Sequence, residues 1–149
     1  WSVDTIRRWR NGGKFDGKML TEDQKHLYNI YQRVLTLCNK EKAIAQGAFF
    51  DLMYANVNGW RFNENKQYTF LRQCGRDLLL IVVNFDHISV DLAINIPSHA
   101  FNFLQIPQMD KYEATDLLSG KKETISLLPY KATEVSVEGY SGKILKVKL

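Results

Sequence analysis

Apolar positions recur with two different periods along this chain, and the change from one to the other falls near Gly47. Before it, Leu27, Ile30, Tyr31, Val34, Leu37 and Cys38 repeat at three- and four-residue intervals, which makes one apolar stripe on a helix. Thr21 is placed as its N-cap, and Gln24 stands three residues on, at the spacing of a capping box. Glu22 and Asp23 put negative charge at the positive end of the helix dipole. The helix is expected to end near Asn39, with a further helical stretch through Ala43 and Ile44 that Gly47 stops. Residues 1–20 are charged and aperiodic, and Gly12-Gly13 and Asp16-Gly17 are turn signals, so this stretch reads as a loop entering the helix.

After Gly47 the runs shorten and take the β period. Strands are expected over 48–52, 68–73, 78–85, 89–96, 111–117, 123–127, 134–137 and 143–149. Val90, Leu92, Ile94 and Ile96 alternate with Ser89, Asp91, Ala93 and Asn95, the pattern of a half-buried strand. Asp86-His87 and Ser119-Gly120 stand between strands like hairpin tips, and Pro107 and Pro129 fall in connections, where a missing N–H does least harm. The expected fold is mainly β: an antiparallel β-sandwich of about eight strands preceded by one amphipathic α-helix, divided as residues 1–47 and 48–149. Leu78–Val83 is apolar on both faces, whereas an antiparallel sandwich strand normally shows solvent one polar face. Something must cover its outer side, and the helix over 21–38 or a domain outside this sequence is the expected cover.

Composition narrows the function. In 149 residues, 45% are hydrophobic and 24% charged, values of an ordinary globular domain. The net charge of +4 is carried by dispersed Lys and Arg residues, with Arg7, Arg8 and Arg10 as the nearest approach to a cluster, which argues against a nucleic-acid partner. The longest apolar run, Leu78 to Val83, is far short of the roughly 20 residues of a spanning helix, so no membrane partner is expected. Cys38 and Cys74 form no CxxC and have no His at ligand spacing, and they read as two free thiols. The chain begins at Trp1, which points to a piece of a longer precursor whose targeting signal lies elsewhere.

The order of motifs is informative as a set. Tyr28, Tyr31, Val34 and Leu37 on the helix are followed by Ala43-Ile44, Gly47 and Phe49, then by a strand at Tyr68–Arg72. Next come Leu80-Ile81-Val82-Val83-Asn84-Phe85, Tyr112, Asp116-Leu117-Leu118-Ser119-Gly120-Lys121 and Leu127-Leu128-Pro129-Tyr130. This succession resembles the end of the alpha-amylase superfamily of glycoside hydrolases, over roughly residues 22–149. There the last helix of the catalytic (β/α)8 barrel leads into a C-terminal Greek-key β-sandwich with an "LLVVLNF"-like strand, a "DLLTGK"-like hairpin and an "L-x-P-Y" stretch. Trp9-Arg10-Asn11-Gly12-Gly13 resembles the loop before that helix in some members.

The resemblance implies a non-catalytic accessory domain of an enzyme acting on α-glucans, one that stabilises the missing barrel of the same polypeptide. A secreted or periplasmic parent enzyme is what the family would imply. The family's chemistry needs two carboxylates roughly 5 Å apart flanking the glycosidic bond, supplied from barrel strands upstream of the last helix. No catalytic residue is therefore carried over to this chain.

Several acidic, histidine and aromatic residues are of types that carry chemistry. Asp77, Asp86 and Asp91 surround the apolar strand, and Asp110, Glu113 and Asp116 lie on a later one, with Asp110 and Asp116 sharing parity. Asp86 reads as a turn residue, Asp91 as a solvent-facing one, and Asp116 as support for the Ser119-Gly120 turn. His26, His87 and His99 are scattered, with no metal-ligand spacing, and no cofactor motif is present. The segment Tyr54-Ala-Asn-Val-Asn-Gly-Trp60-Arg-Phe62 is the best candidate for contact with carbohydrate, through Tyr54, Asn58 and Trp60. Aromatic rings stack on the apolar faces of pyranoses, and amides both donate to and accept from hydroxyls. The competing expectation is that Trp60 and Phe62 are buried, against the helix or the missing barrel. A starch- or maltooligosaccharide-binding module is thus the alternative function, and an unrelated interaction domain a third.

Overall fold

The computed structural model describes residues 2–149, in two compact units: the residues up to Asn39, and Lys40–Leu149.

In the first unit, α1 (Val3–Arg10) is a helix where the sequence reads as loop. Ser2 caps it by accepting from the Thr5 N–H, and Arg7, Arg8 and Arg10 sit at its negative C-terminal end. The Gly12-Gly13 turn signal applies only to its termination, in a short 3-10 turn over Asn11–Gly13. The following loop is closed by Asp16, which accepts from the Asn11 amide (2.7 Å) and the Lys18 N–H (3.1 Å). α2 (Glu22–Lys40) begins with the expected reciprocal cap: the Thr21 N–H donates to the Gln24 side chain at 3.1 Å, and the Gln24 N–H to the Thr21 hydroxyl at 3.3 Å. None of the side chains on α2 is buried.

The second unit contains α3 (Lys42–Ala45), all eight expected strands and one helix more. The strands are β1 (Ala48–Asp51), β2 (Gln67–Cys74), β3 (Asp77–Asn84), β4 (Val90–Ile94), β5 (Met109–Asp116), β6 (Lys122–Leu127), β7 (Thr133–Val137) and β8 (Ser141–Lys148). They form a six-stranded antiparallel sheet in the order β1-β2-β3-β8-β5-β6 and a two-stranded sheet β4-β7. The sheets face each other across one core. Leu71, Leu78, Leu80, Val82, Leu145 and Val147 from the large sheet meet Leu92, Ile94, Val135 and Val137 from the small one. The additional helix, α4 (Ser98–Leu104), follows Pro97 and plugs the core with Ala100, Phe101 and Leu104 at helical spacing.

β3 is the central strand of the large sheet, which explains its composition. Its inner residues Leu78, Leu80 and Val82 enter the core, and its outer residues Leu79 and Ile81 are buried as well. Within this unit the outer cover comes from α3: Ala43 and Ile44 pack with Phe70, Val83, Leu117 and Ile144 around Leu79 and Ile81. Arg72 on β2 fixes that cover by donating to the carbonyls of Ala43 (3.1 Å) and Ile44 (2.6 Å), two acceptors that the end of a helix leaves open. Gly47 makes the close approach possible, since a Cβ there would lie 2.3 Å from the Ala43 carbonyl oxygen and 2.7 Å from that of Gln73. On the neighbouring strand, Lys146 bonds Glu41 (2.7 Å) and Asp77 (3.0 Å), which ties the start of α3 to β8 and β3.

Two local expectations are corrected. Asp86-His87 is not a hairpin tip: β3 pairs with β2 and β8 while β4 pairs with β7, so residues 85–89 carry the chain from one sheet to the other. Asp110 and Asp116 do not share a face in practice, because a register shift between Met109 and Tyr112 resets the alternation. Asp110 is exposed and Asp116 is buried.

Candidate functional site

The acids come first, because a glycosidase needs a carboxyl of raised pKa to protonate its leaving group. Here each has its own partner. A hydrogen bond from Lys66 (2.7 Å) holds Asp86 below the usual carboxylate range, helped by the His87 N–H. Lys131 (2.7 Å) and the Ser126 hydroxyl do the same for Asp110. Burial raises Asp77, but bonds from Lys148 and Lys146 outweigh it and the net shift is downward. Glu113 pairs with Lys122 at 2.9 Å, and Asp91 accepts from the Ser136 hydroxyl at 2.5 Å. Asp116 supports the β5–β6 turn, as its position in the sequence implies, by accepting from the Leu118 and Ser119 N–H groups, the Ser119 hydroxyl and the Ile144 N–H. Each of these carboxylates is anchored by a local donor.

The histidines divide in the same way. His87 lies 2.9 Å from Asp86 in the bend between sheets, His99 packs edge-on against Phe50 from α4, and His26 is on α2. Among the described residues, no group of three or more His, Cys, Asp or Glu side chains is placed to hold a metal.

The segment 54–62 is built from its buried members outward. Asn56 has no exposed surface; its amide donates to the Leu52 (2.8 Å) and Asn95 (3.0 Å) carbonyls and accepts from the Asn95 N–H (2.8 Å). That clamps the loop to the end of β4. Phe62 enters the core. Arg61 lies along β4, with its carbonyl accepting from the Ala93 N–H at 3.4 Å, its Nε bonding the Asp91 carbonyl at 2.8 Å and its guanidinium pairing with Glu134 at 3.2 Å. Trp60 projects between these anchors with 71% of its surface exposed, and the Arg61 guanidinium stands 5.0 Å from the centre of its ring. Phe62 is thus buried in the sandwich's own core, while Trp60 is exposed on its surface. Asn58 is exposed and holds a left-handed φ of 55°.

Tyr54 goes elsewhere. Its ring faces Phe50 at 6.3 Å, in a cluster with His99 and Phe103, and among the described residues no ring contact joins it to Trp60. Asn58 and Trp60 share this short loop, while Tyr54 belongs to the Phe50 cluster. Asn56 and Arg61 hold the loop through partners far along the chain, Asn95, Asp91 and Glu134, which local sequence does not reveal.

No family model matches the chain, and neither does any curated protein. Solved structures do. An alpha-amylase of Anoxybacillus superposes with a TM-score of 0.57 at 13% identity, over 91% of this chain and 25% of that one. A maltogenic alpha-amylase of Thermotoga neapolitana gives 0.59 at 15% identity, over 89% and 27%. The chain has the fold of the matched part of these amylases. It spans about a quarter of their length. An isomaltulose synthase of Klebsiella also matches, with a TM-score of 0.53 at 19% identity over 90% of this chain and 19% of that one. The fold thus accompanies enzymes named for different products, and a fold alone assigns no reaction.

Proposed function

We propose that this chain is the closing part of an alpha-amylase-type glycoside hydrolase acting on α-glucans: the residues up to Asn39 complete a catalytic barrel, and Lys40–Leu149 form a non-catalytic sandwich that stabilises it. The observation that carries this reading is α2. Half of its stripe is left open, with Leu27 55%, Ile30 46% and Tyr31 61% exposed. Helices of this kind owe most of their stability to packing the apolar face, so the stripe calls for a partner. The outer face of the large sheet adds to it, with Phe49, Phe70 and Tyr68 forming a half-exposed aromatic row. The path of the sandwich also supports the family's Greek-key arrangement, since β8 returns to lie beside β5.

Catalysis belongs to the barrel on this reading, and the lowered pKa values of Asp77, Asp86 and Asp110, each bonded to a lysine, are consistent with that. The test is turnover of maltooligosaccharides by the chain alone. No release of reducing sugar above blank is expected; robust turnover overturns the proposal. Joining the chain to its upstream sequence should then protect Tyr31 from surface labelling, and undiminished labelling in an active enzyme overturns the assigned role of the stripe.

A further inference from the structure

We propose that Trp60 and Asn58 form a surface contact site for one pyranose ring of an α-glucan, on the side of the sandwich opposite the face offered to the barrel. The choice of glucan rests on the function proposed above; the site itself rests on the loop.

The backbone around Trp60 is locked. Asn56 pins its start from inside, and Arg61 pins its end to Asp91 and Glu134. Asn58 and Arg61 both hold left-handed backbone, at φ 55° and 56°, and a Cβ on Gly59 would lie 2.9 Å from the Asn56 carbonyl oxygen. Non-glycine residues in this region cost energy and persist only where the surroundings enforce them. The loop accepts that cost in order to present a large indole to water, where it contributes little to folding.

The ring is also oriented. The Arg61 guanidinium covers one face at 5.0 Å, and the exposure of Trp60 leaves the other face open. The C–H face of a glucopyranose carries partial positive charge and matches the negative face of an indole. Polar groups are close in the chain or linked through Arg61: Asn58 is exposed two residues before the indole, and Arg61 reaches the Asp91 carbonyl and Glu134 on β4 and β7. A single aromatic surface in a polar rim suits one sugar ring better than a protein partner, which would call for a wider apolar patch.

The placement leaves the site free. The loop runs along β4 in the small sheet, whereas Phe49, Phe70, Leu79 and Ile81 lie on the far face of the large sheet. A barrel seated on that far face does not cover Trp60.

The experiment is a ¹H–¹⁵N NMR titration of the chain with maltoheptaose, with cellohexaose as the β-linked control. Saturable shifts of the Trp60 indole N–H and the Asn58 amide are expected, with a Kd of about 1 mM. Trp60→Ala should weaken binding by about tenfold, and Asn58→Gly, which keeps the left-handed turn but removes the amide, by a few-fold, both with an unchanged melting curve. Absence of saturable shifts, shifts confined to other surfaces, or undiminished binding by Trp60→Ala would each overturn the site. Tighter binding of cellohexaose would overturn the choice of an α-glucan. None of these results bears on whether the chain turns over maltooligosaccharides, so the two proposals fail separately.

Discussion

The two units use the same kinds of residue to opposite ends. From Lys40 onward the chain closes on itself: the sheets share one core, and α3 covers the outer side of β3. Before it, a 19-residue helix with a regular apolar stripe and a complete N-terminal cap buries none of its side chains. Local signals are equally good in both, so correct local structure and self-sufficiency are separate properties. A cap and a stripe specify a helix; only packing supplies the energy that keeps it.

Truncation tests this contrast most severely. A chain starting at Lys40 is expected to melt cooperatively within about 5 °C of the full sequence, because it keeps the core and α3. A peptide of residues 2–39 should lose most of its helix by circular dichroism. Loss of cooperative melting in the shorter chain would show that the sandwich leans on the first unit. Single side chains sharpen the comparison. Leu80→Ala, at the centre of the core, should cost about 3 kcal/mol in urea unfolding, whereas Leu27→Ala on the open stripe should change the chain's stability by less than about 0.5 kcal/mol. Equal effects would refute the division. Gly47→Ala should cost about 2 kcal/mol, since its methyl meets two carbonyl oxygens.

The smallest effect is one of pH. Asp86 has its folded pKa depressed by Lys66, so its contribution is fully present above the unfolded value and is lost as pH falls through the folded one. Thermal melts should therefore lose stability below about pH 4. Asp86→Asn should flatten that part of the curve, and an unchanged slope would remove Asp86 as a cause.

Strand existence was legible in the sequence because apolar runs of the right length are bounded by turn residues, and the Thr21–Gln24 cap was legible because it is local. Pairing was less so. Nothing near Asp86-His87 says that β3 and β4 belong to different sheets, since that depends on partners far along the chain. The bulge that separates Asp110 from Asp116 is equally invisible to simple alternation. α1 was hidden by the glycines that end it, and α4 by its length, although Pro97 and the spacing of Ala100, Phe101 and Leu104 were a usable signal. At the candidate site, residue type favoured burial for both Trp60 and Phe62. Their different fates are set by contacts far along the chain, such as the pairing of Asn56 with Asn95 that fixes the loop.

One consequence of the way α3 is fastened concerns mechanical load. Arg72 grips its carbonyls from β2, and Lys146 grips Glu41 from β8, so the attachments stand on either side of β3. Tension arriving from upstream is therefore delivered to the middle of the sheet, where strands are paired on both sides, and not to the short border strand β1. The sandwich should resist being peeled open from its own entry point.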